Sequence, residues 1–152
     1  MSVHPAKVET DSIAVVIPCY RTGDRVFDVI NAIPPGVDRI YCVDDGCPDE
    51  IGARIGDRMS DDRIRIIKHS ENMGVGAAMV SGYRAAIADG ASIVVKIDGD
   101  GQMDPTDLDR MVRPILDGRA DYTKGNRFYR LEDLRQMPLV RVVGNCALTL
   151  LA

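Results

Sequence analysis

Short apolar runs alternate with amphipathic stretches along most of this chain. Ile13 to Pro18, Arg39 to Val43, Arg63 to Lys68, Ser92 to Asp98 and Ala120 to Lys124 have strand length and strand composition. Between them, Asp24 to Ala32, Asp49 to Met59, Val75 to Asp89 and Pro105 to Leu116 carry apolar residues at helical spacing. Such alternation predicts an α/β fold, Rossmann-like, with a mainly parallel sheet and helices on both faces, because parallel strands need crossover helices that then cover the sheet. Local punctuation agrees. Pro34-Pro35-Gly36 separates the first helix from the second strand, Asp104-Pro105 reads as an N-cap followed by proline at the first helical position, and Asp89-Gly90 and Asp117-Gly118 close helices. Residues 1–11 lack apolar periodicity and read as a flexible tail, leaving 12–152 as a single domain.

Right-handed crossovers make an open, doubly wound sheet the economical topology, and such sheets bind ligands beyond the carboxyl ends of their strands. Four polar clusters fall at that edge: "PCYRTGD", "DDGCPD", "HSENMGVG" and "DGDGQMD". The last places Asp98, Asp100 and Asp104 within seven positions after an apolar run, a gathering of like charge that expects a cation. On an extended backbone Asp98 and Asp100 face the same side, roughly 6 to 7 Å apart. Two such carboxylates suit Mg²⁺ or Mn²⁺, which commonly take one or two protein carboxylates, waters and substrate phosphates. Gln102 adds an amide oxygen in the same register, and Gly99 and Gly101 permit close approach of a ligand. Asp104 is explained as a helix cap, and Lys96 as a partly buried partner for an acid.

Asp44-Asp45 ends the second strand. Capping accounts for Asp49, while one of the pair is placed to accept hydrogen bonds from a ribose or a base. Asn72-x-Gly74-x-Gly76 opens the long helix, either as a plain turn or as a helix N-terminus suited to phosphate. No Gly-x-x-x-x-Gly-Lys-Ser/Thr occurs, which excludes a P-loop NTPase. Arg127 in "KGNRF" is the best-placed guanidinium for a diphosphate.

Charge narrows the partners. Nineteen basic against 23 acidic residues give a net −4 with no Lys/Arg run, which argues against nucleic acid. The four cysteines (Cys19, Cys42, Cys47, Cys146) form no Cys-x-x-Cys pair and are joined by two histidines only, so zinc is disfavoured and a reducing, cytoplasmic compartment fits. No signal peptide is evident, and the apolar runs are shorter than the roughly 20 residues of a membrane helix.

In their order and spacing, "VVIPCY", "VDDGCPD", "ENMGVGAAM", "KIDGDGQMDP" and "KGNRF" resemble the catalytic core of family 2 inverting glycosyltransferases, in the dolichol-phosphate mannose synthase and polyprenyl-phosphate sugar transferase branch. The resemblance implies a GT-A fold that binds a GDP- or UDP-sugar through Mg²⁺ or Mn²⁺ and transfers the sugar, with inversion, to an acceptor such as a lipid phosphate. It implies that Pro18, Tyr20, Val43 and Asp45 line the nucleoside pocket, that Asp98, Gly99, Asp100 and Gln102 serve the metal and diphosphate, and that Arg127 contacts phosphate. Two departures stand out: Arg21-Thr22 replaces the family's frequent Asn-Glu, and family domains continue past this point. The acceptor region and general base are thus expected beyond Ala152, with weak or no transfer by the chain alone. The apolar "LVRVVGNCALTLLA" is expected to form a terminal helix open to self-association, and a longer form to sit at the cytoplasmic face of a membrane. A receiver-like signalling domain and a non-catalytic nucleotide-binding or assembly remnant remain as alternatives, although a receiver's acid pair follows its first strand, not its second.

Overall fold

The computed structural model describes residues 11–125. Its elements run β1 (Ile13–Cys19), α1 (Arg25–Asn31), β2 (Arg39–Asp44), α2 (Ile51–Arg58), β3 (Ile64–Lys68), α3 (Val75–Ala88), β4 (Ile93–Lys96), a single 3₁₀ turn (Pro105–Asp107) and α4 (Leu108–Leu116). The four strands form one parallel sheet in the order β3-β2-β1-β4. The chain builds outward from β1 to β3, then crosses back to place β4 on β1's other side. The order therefore reverses between β1 and β4.

Both faces of the sheet are buried, which is why β1 and β2 read as unbroken apolar runs. Val15, Ile17, Ile40 and Cys42 pack into one cluster with Val26 and Ile30 of α1, Ile51 and Ile55 of α2, and Leu108 and Val112 of α4. The alternate residues Ala14, Val16, Tyr41 and Val43 pack against Ala78, Met79 and Ala86 of α3. That α3 contact is close, since a Cβ on Gly82 would lie 2.3 Å from Val16 Cγ1. Helices thus cover both faces, as the alternation predicts.

Two expectations are corrected among the described residues. Ala120 to Lys124 is not a strand: α4 is closed through Gly118 at φ 66°, Arg119 and Ala120 N–H groups donate to the Pro114 carbonyl, and the Thr123 hydroxyl donates to the Met111 carbonyl. Its one large apolar residue, Tyr122, is exposed, so the segment has no buried face to set against the sheet. The fourth strand also ends at Lys96 and not at Asp98, because the chain turns at Gly99-Asp100 and passes through Gly101 at φ 76°.

The expected tail, apart from Asp11, and the expected apolar C-terminal helix lie outside the described residues, as does Arg127. Among the described residues no helix is long and apolar enough to cross a membrane.

Candidate functional site

A cleft of about 250 Å³ opens at the carboxyl edge of the sheet, where the strand order reverses. Such switch points leave a crevice because the loops on either side lead away in opposite directions. Each of the four strands sends a loop to it. Pro18, Tyr20 and Thr22 come from β1, Asp45 from β2, Asn72, Gly74 and Val75 from the turn after β3, and Asp98, Gly99 and Asp100 from β4.

The acidic β4 loop is built more tightly than its charge suggests. Asp98 Oδ1 accepts from Lys96 Nζ at 2.5 Å, so part of the like-charge repulsion is offset within the protein. Asp100 Oδ1 accepts from the Gln102 N–H at 3.0 Å, and Arg25 Nη1 donates to the Asp100 carbonyl at 3.4 Å. Gly99 is buried against Thr22, Ile17 and Val26, with a virtual Cβ 3.0 Å from Thr22 Cγ2. Asp104 caps the 3₁₀ turn as predicted, accepting from the Thr106 N–H at 2.9 Å and its hydroxyl at 2.7 Å. Those bonds hold its carboxyl below the usual range.

The turn at Gly99-Asp100 removes the extended register that would carry Asp98, Asp100 and Gln102 on one face. Asp98 and Asp100 nevertheless both line the cleft, whereas Gln102 is exposed beside it. Among the described residues no three His, Cys, Asp or Glu side chains are grouped to hold an ion unaided. Two hard carboxylates at a cleft fit Mg²⁺ or Mn²⁺, provided a ligand's own oxygens complete the shell.

Asp44 and Asp45 divide their work. Asp44, 1% exposed, accepts from the Cys47 N–H at 2.8 Å and the Gly52 N–H at 2.9 Å, so it caps α2 from the strand end. Asp49 is therefore not the cap expected from sequence. Asp45, 2% exposed, accepts from His69 Nδ1 at 2.6 Å, the Met73 N–H at 3.0 Å and the Gly74 N–H at 2.8 Å. Burial pushes its carboxyl up, but His69 and the two backbone donors outweigh that and hold it below the ordinary value. Gly46 makes the approach possible: at φ 61°, a Cβ there would sit 2.3 Å from the Glu71 carbonyl carbon.

Of the remaining expected residues, Pro18 and Tyr20 are in the cleft wall, while Val43 is fully buried in the sheet core beneath it. Cys19 also borders the cleft, but its hydrogen bond with Cys42 and its burial push the thiol well up, which keeps it protonated and inert as a nucleophile. Arg21 adopts a left-handed backbone at φ 52°, with its guanidinium 5.4 Å from the centre of the Tyr20 ring. Asn takes that conformation more readily than Arg. The Thr22 hydroxyl oxygen is buried and has no hydrogen-bond partner among the described residues, although the residue lines the cleft. Sequence reading assigns no site role to either Thr22 or His69.

The Glycosyl transferase family 2 model matches residues 14–148. The chain is 30% identical over 151 residues to a UDP-N-acetylglucosamine–dolichyl-phosphate N-acetylglucosaminyltransferase of Methanococcus voltae, covering 90% of this chain and 60% of that protein. It is 29% identical over 145 residues to a polyprenol monophosphomannose synthase of Mycolicibacterium smegmatis, covering 91% and 54%. A dolichol-phosphate mannosyltransferase of Pyrococcus furiosus is 23% identical over 133 residues, covering 85% and 37%. The chain thus spans roughly half the length of the curated relatives it matches.

Proposed function

Because this chain belongs to glycosyl transferase family 2, we propose that its cleft binds a nucleotide-diphosphate sugar through Mg²⁺ or Mn²⁺. In a protein of its relatives' full length the sugar would pass with inversion to a polyprenyl phosphate. The observation that carries this reading is the convergence of Asp98, Asp100 and Asp45 with the Pro18 and Tyr20 wall at the β1/β4 switch point.

Asp98 and Asp100 would hold the metal. When bound, the ion neutralises charge on the diphosphate as it departs. A seat of two carboxylates is incomplete without the diphosphate oxygens, so metal and donor should bind together. The cleft face of Asp45 offers the donor base one further acceptor, since three of its roughly four acceptor sites are used internally. Tyr20 and Pro18 supply an apolar wall for a nucleoside. The names of the relatives support a sugar nucleotide as donor and a polyprenyl phosphate as acceptor.

Calorimetric titration with UDP-N-acetylglucosamine and GDP-mannose, each in Mn²⁺ and in EDTA, tests this. We expect binding of one of them in Mn²⁺ and none in EDTA, with Asp100→Ala abolishing binding while leaving the fold intact. Failure of the wild-type chain to bind either with metal, or equal binding in EDTA, would overturn the reading.

A further inference from the structure

Asp45 does not meet the cleft alone. His69, at the end of β3 with its side chain 10% exposed, joins two elements through its ring: Nδ1 lies 2.6 Å from Asp45 Oδ1 and Nε2 lies 2.9 Å from Ser81 Oγ on α3. An ionised carboxylate can only accept, so Nδ1 carries the proton. In the neutral ring Nε2 then takes the hydroxyl hydrogen of Ser81. The order Asp-His-Ser invites comparison with a nucleophilic triad, but Ser81 lies within α3 and is absent from the cleft lining, so it is not placed to attack a substrate bound there. The network must serve something other than a serine nucleophile.

What it touches is the cleft itself. The same carboxylate that receives His69 also receives the N–H groups of Met73 and Gly74, and Gly74 and Asp45 both line the cleft. Each additional donor removes an orientation from the carboxylate. With His69 in place, the Asp45 plane and the 73–74 turn are fixed relative to α3.

We propose that His69 is a positioning residue for donor binding, locking Asp45 and the Met73-Gly74 turn in the orientation that presents the last Asp45 acceptor site to the cleft. This rests on the reading of the cleft as a sugar-nucleotide site. Two near-isosteric substitutions separate the ring's two ends. Asn carries its amide nitrogen near the place of Nδ1, whereas Gln carries its own near the place of Nε2.

His69→Asn is expected to bind the donor within about threefold of wild type in the Mn²⁺ titration. His69→Gln loses the Asp45 contact and should bind at least tenfold more weakly, the loss set by one hydrogen bond to a charged group. General damage to packing would weaken both alike, so rescue by Asn alone is the signature of positioning. Without any nucleotide, hydrogen exchange at the Met73 and Gly74 amides should quicken tenfold or more in His69→Gln and stay near wild type in His69→Asn. Equal donor affinity in the two variants would overturn the proposal. If the wild-type chain binds neither sugar nucleotide, the donor reading falls by itself, and the exchange measurement still decides: equal protection of Met73 and Gly74 in both variants overturns the lock.

Discussion

Replacing Asp45 by Asn tests how the cleft floor is held. The substitution keeps shape and one carbonyl oxygen but removes the charge and turns an acceptor into a donor. An amide group then faces the Gly74 N–H that Asp45 Oδ2 receives at 2.8 Å, leaving that N–H only Asn72 Oδ1, at 3.0 Å. Loss of a hydrogen bond to a charged acceptor costs about 1 to 3 kcal/mol, and the His69 and Met73 bonds each lose roughly 1 kcal/mol as the charge disappears. The expected loss is about 3 to 5 kcal/mol, a large share of a typical domain's 5 to 15. Urea unfolding at pH 7 measures it directly. The pH dependence supplies a second check. Because the folded-state value of Asp45 is lowered, its stabilisation is fully present above the ordinary carboxylate value near 4 and is lost as pH falls through the folded value. The gap between wild type and Asp45→Asn should therefore be widest from about pH 5 upward and should close in stronger acid. A loss under about 1 kcal/mol at pH 7, or a gap that stays constant into acid, would refute the reasoning.

Further outcomes follow from the same geometry. Gly46→Ala forces a Cβ to within 2.3 Å of the Glu71 backbone at φ 61°, so unfolding experiments should show a loss of about 3 kcal/mol or more, from left-handed strain and overpacking together. Arg21→Asn relieves a strained backbone at φ 52° and should raise the unfolding free energy measured in urea by no more than about 1 kcal/mol, since Asn tolerates that region. Asp104→Ala removes the cap on Thr106 and should lower the thermal midpoint with donor affinity unchanged, the reverse of Asp100→Ala.

The β1 and β2 strands, the four helices and the parallel order were legible because residues buried on both faces leave unbroken apolar runs, and crossovers leave helical periodicity. Ala120 to Lys124 misled because a short mixed run has no second signal to support it, and its hydrogen bonds run back to Pro114 and Met111 of the preceding helix instead of to the sheet. Adjacent acids at Asp44 and Asp45 look alike in sequence. Only the path of the following turn decides that one caps α2 and the other clamps the 73–74 turn. Val43 was expected in the nucleoside pocket, and the strand's pleat turns it toward α3. A lone histidine such as His69 carries no local signal, since both its partners lie more than ten residues away. Thr22 was legible only as a departure from the family's Asn-Glu, not as a buried hydroxyl lacking a partner among the described residues.

The central claim is that Asp98 and Asp100 seat a metal that carries the donor's diphosphate. Crystals grown with Mn²⁺ and the sugar nucleotide that binds, measured at the manganese edge, test it most directly. The account predicts an anomalous peak about 2.1 to 2.2 Å from a carboxylate oxygen of Asp98 or Asp100 and from a diphosphate oxygen, with the nucleoside against Tyr20 and Asp45. A nucleotide bound elsewhere, or one seated in this cleft with no manganese between it and these two carboxylates, would contradict it.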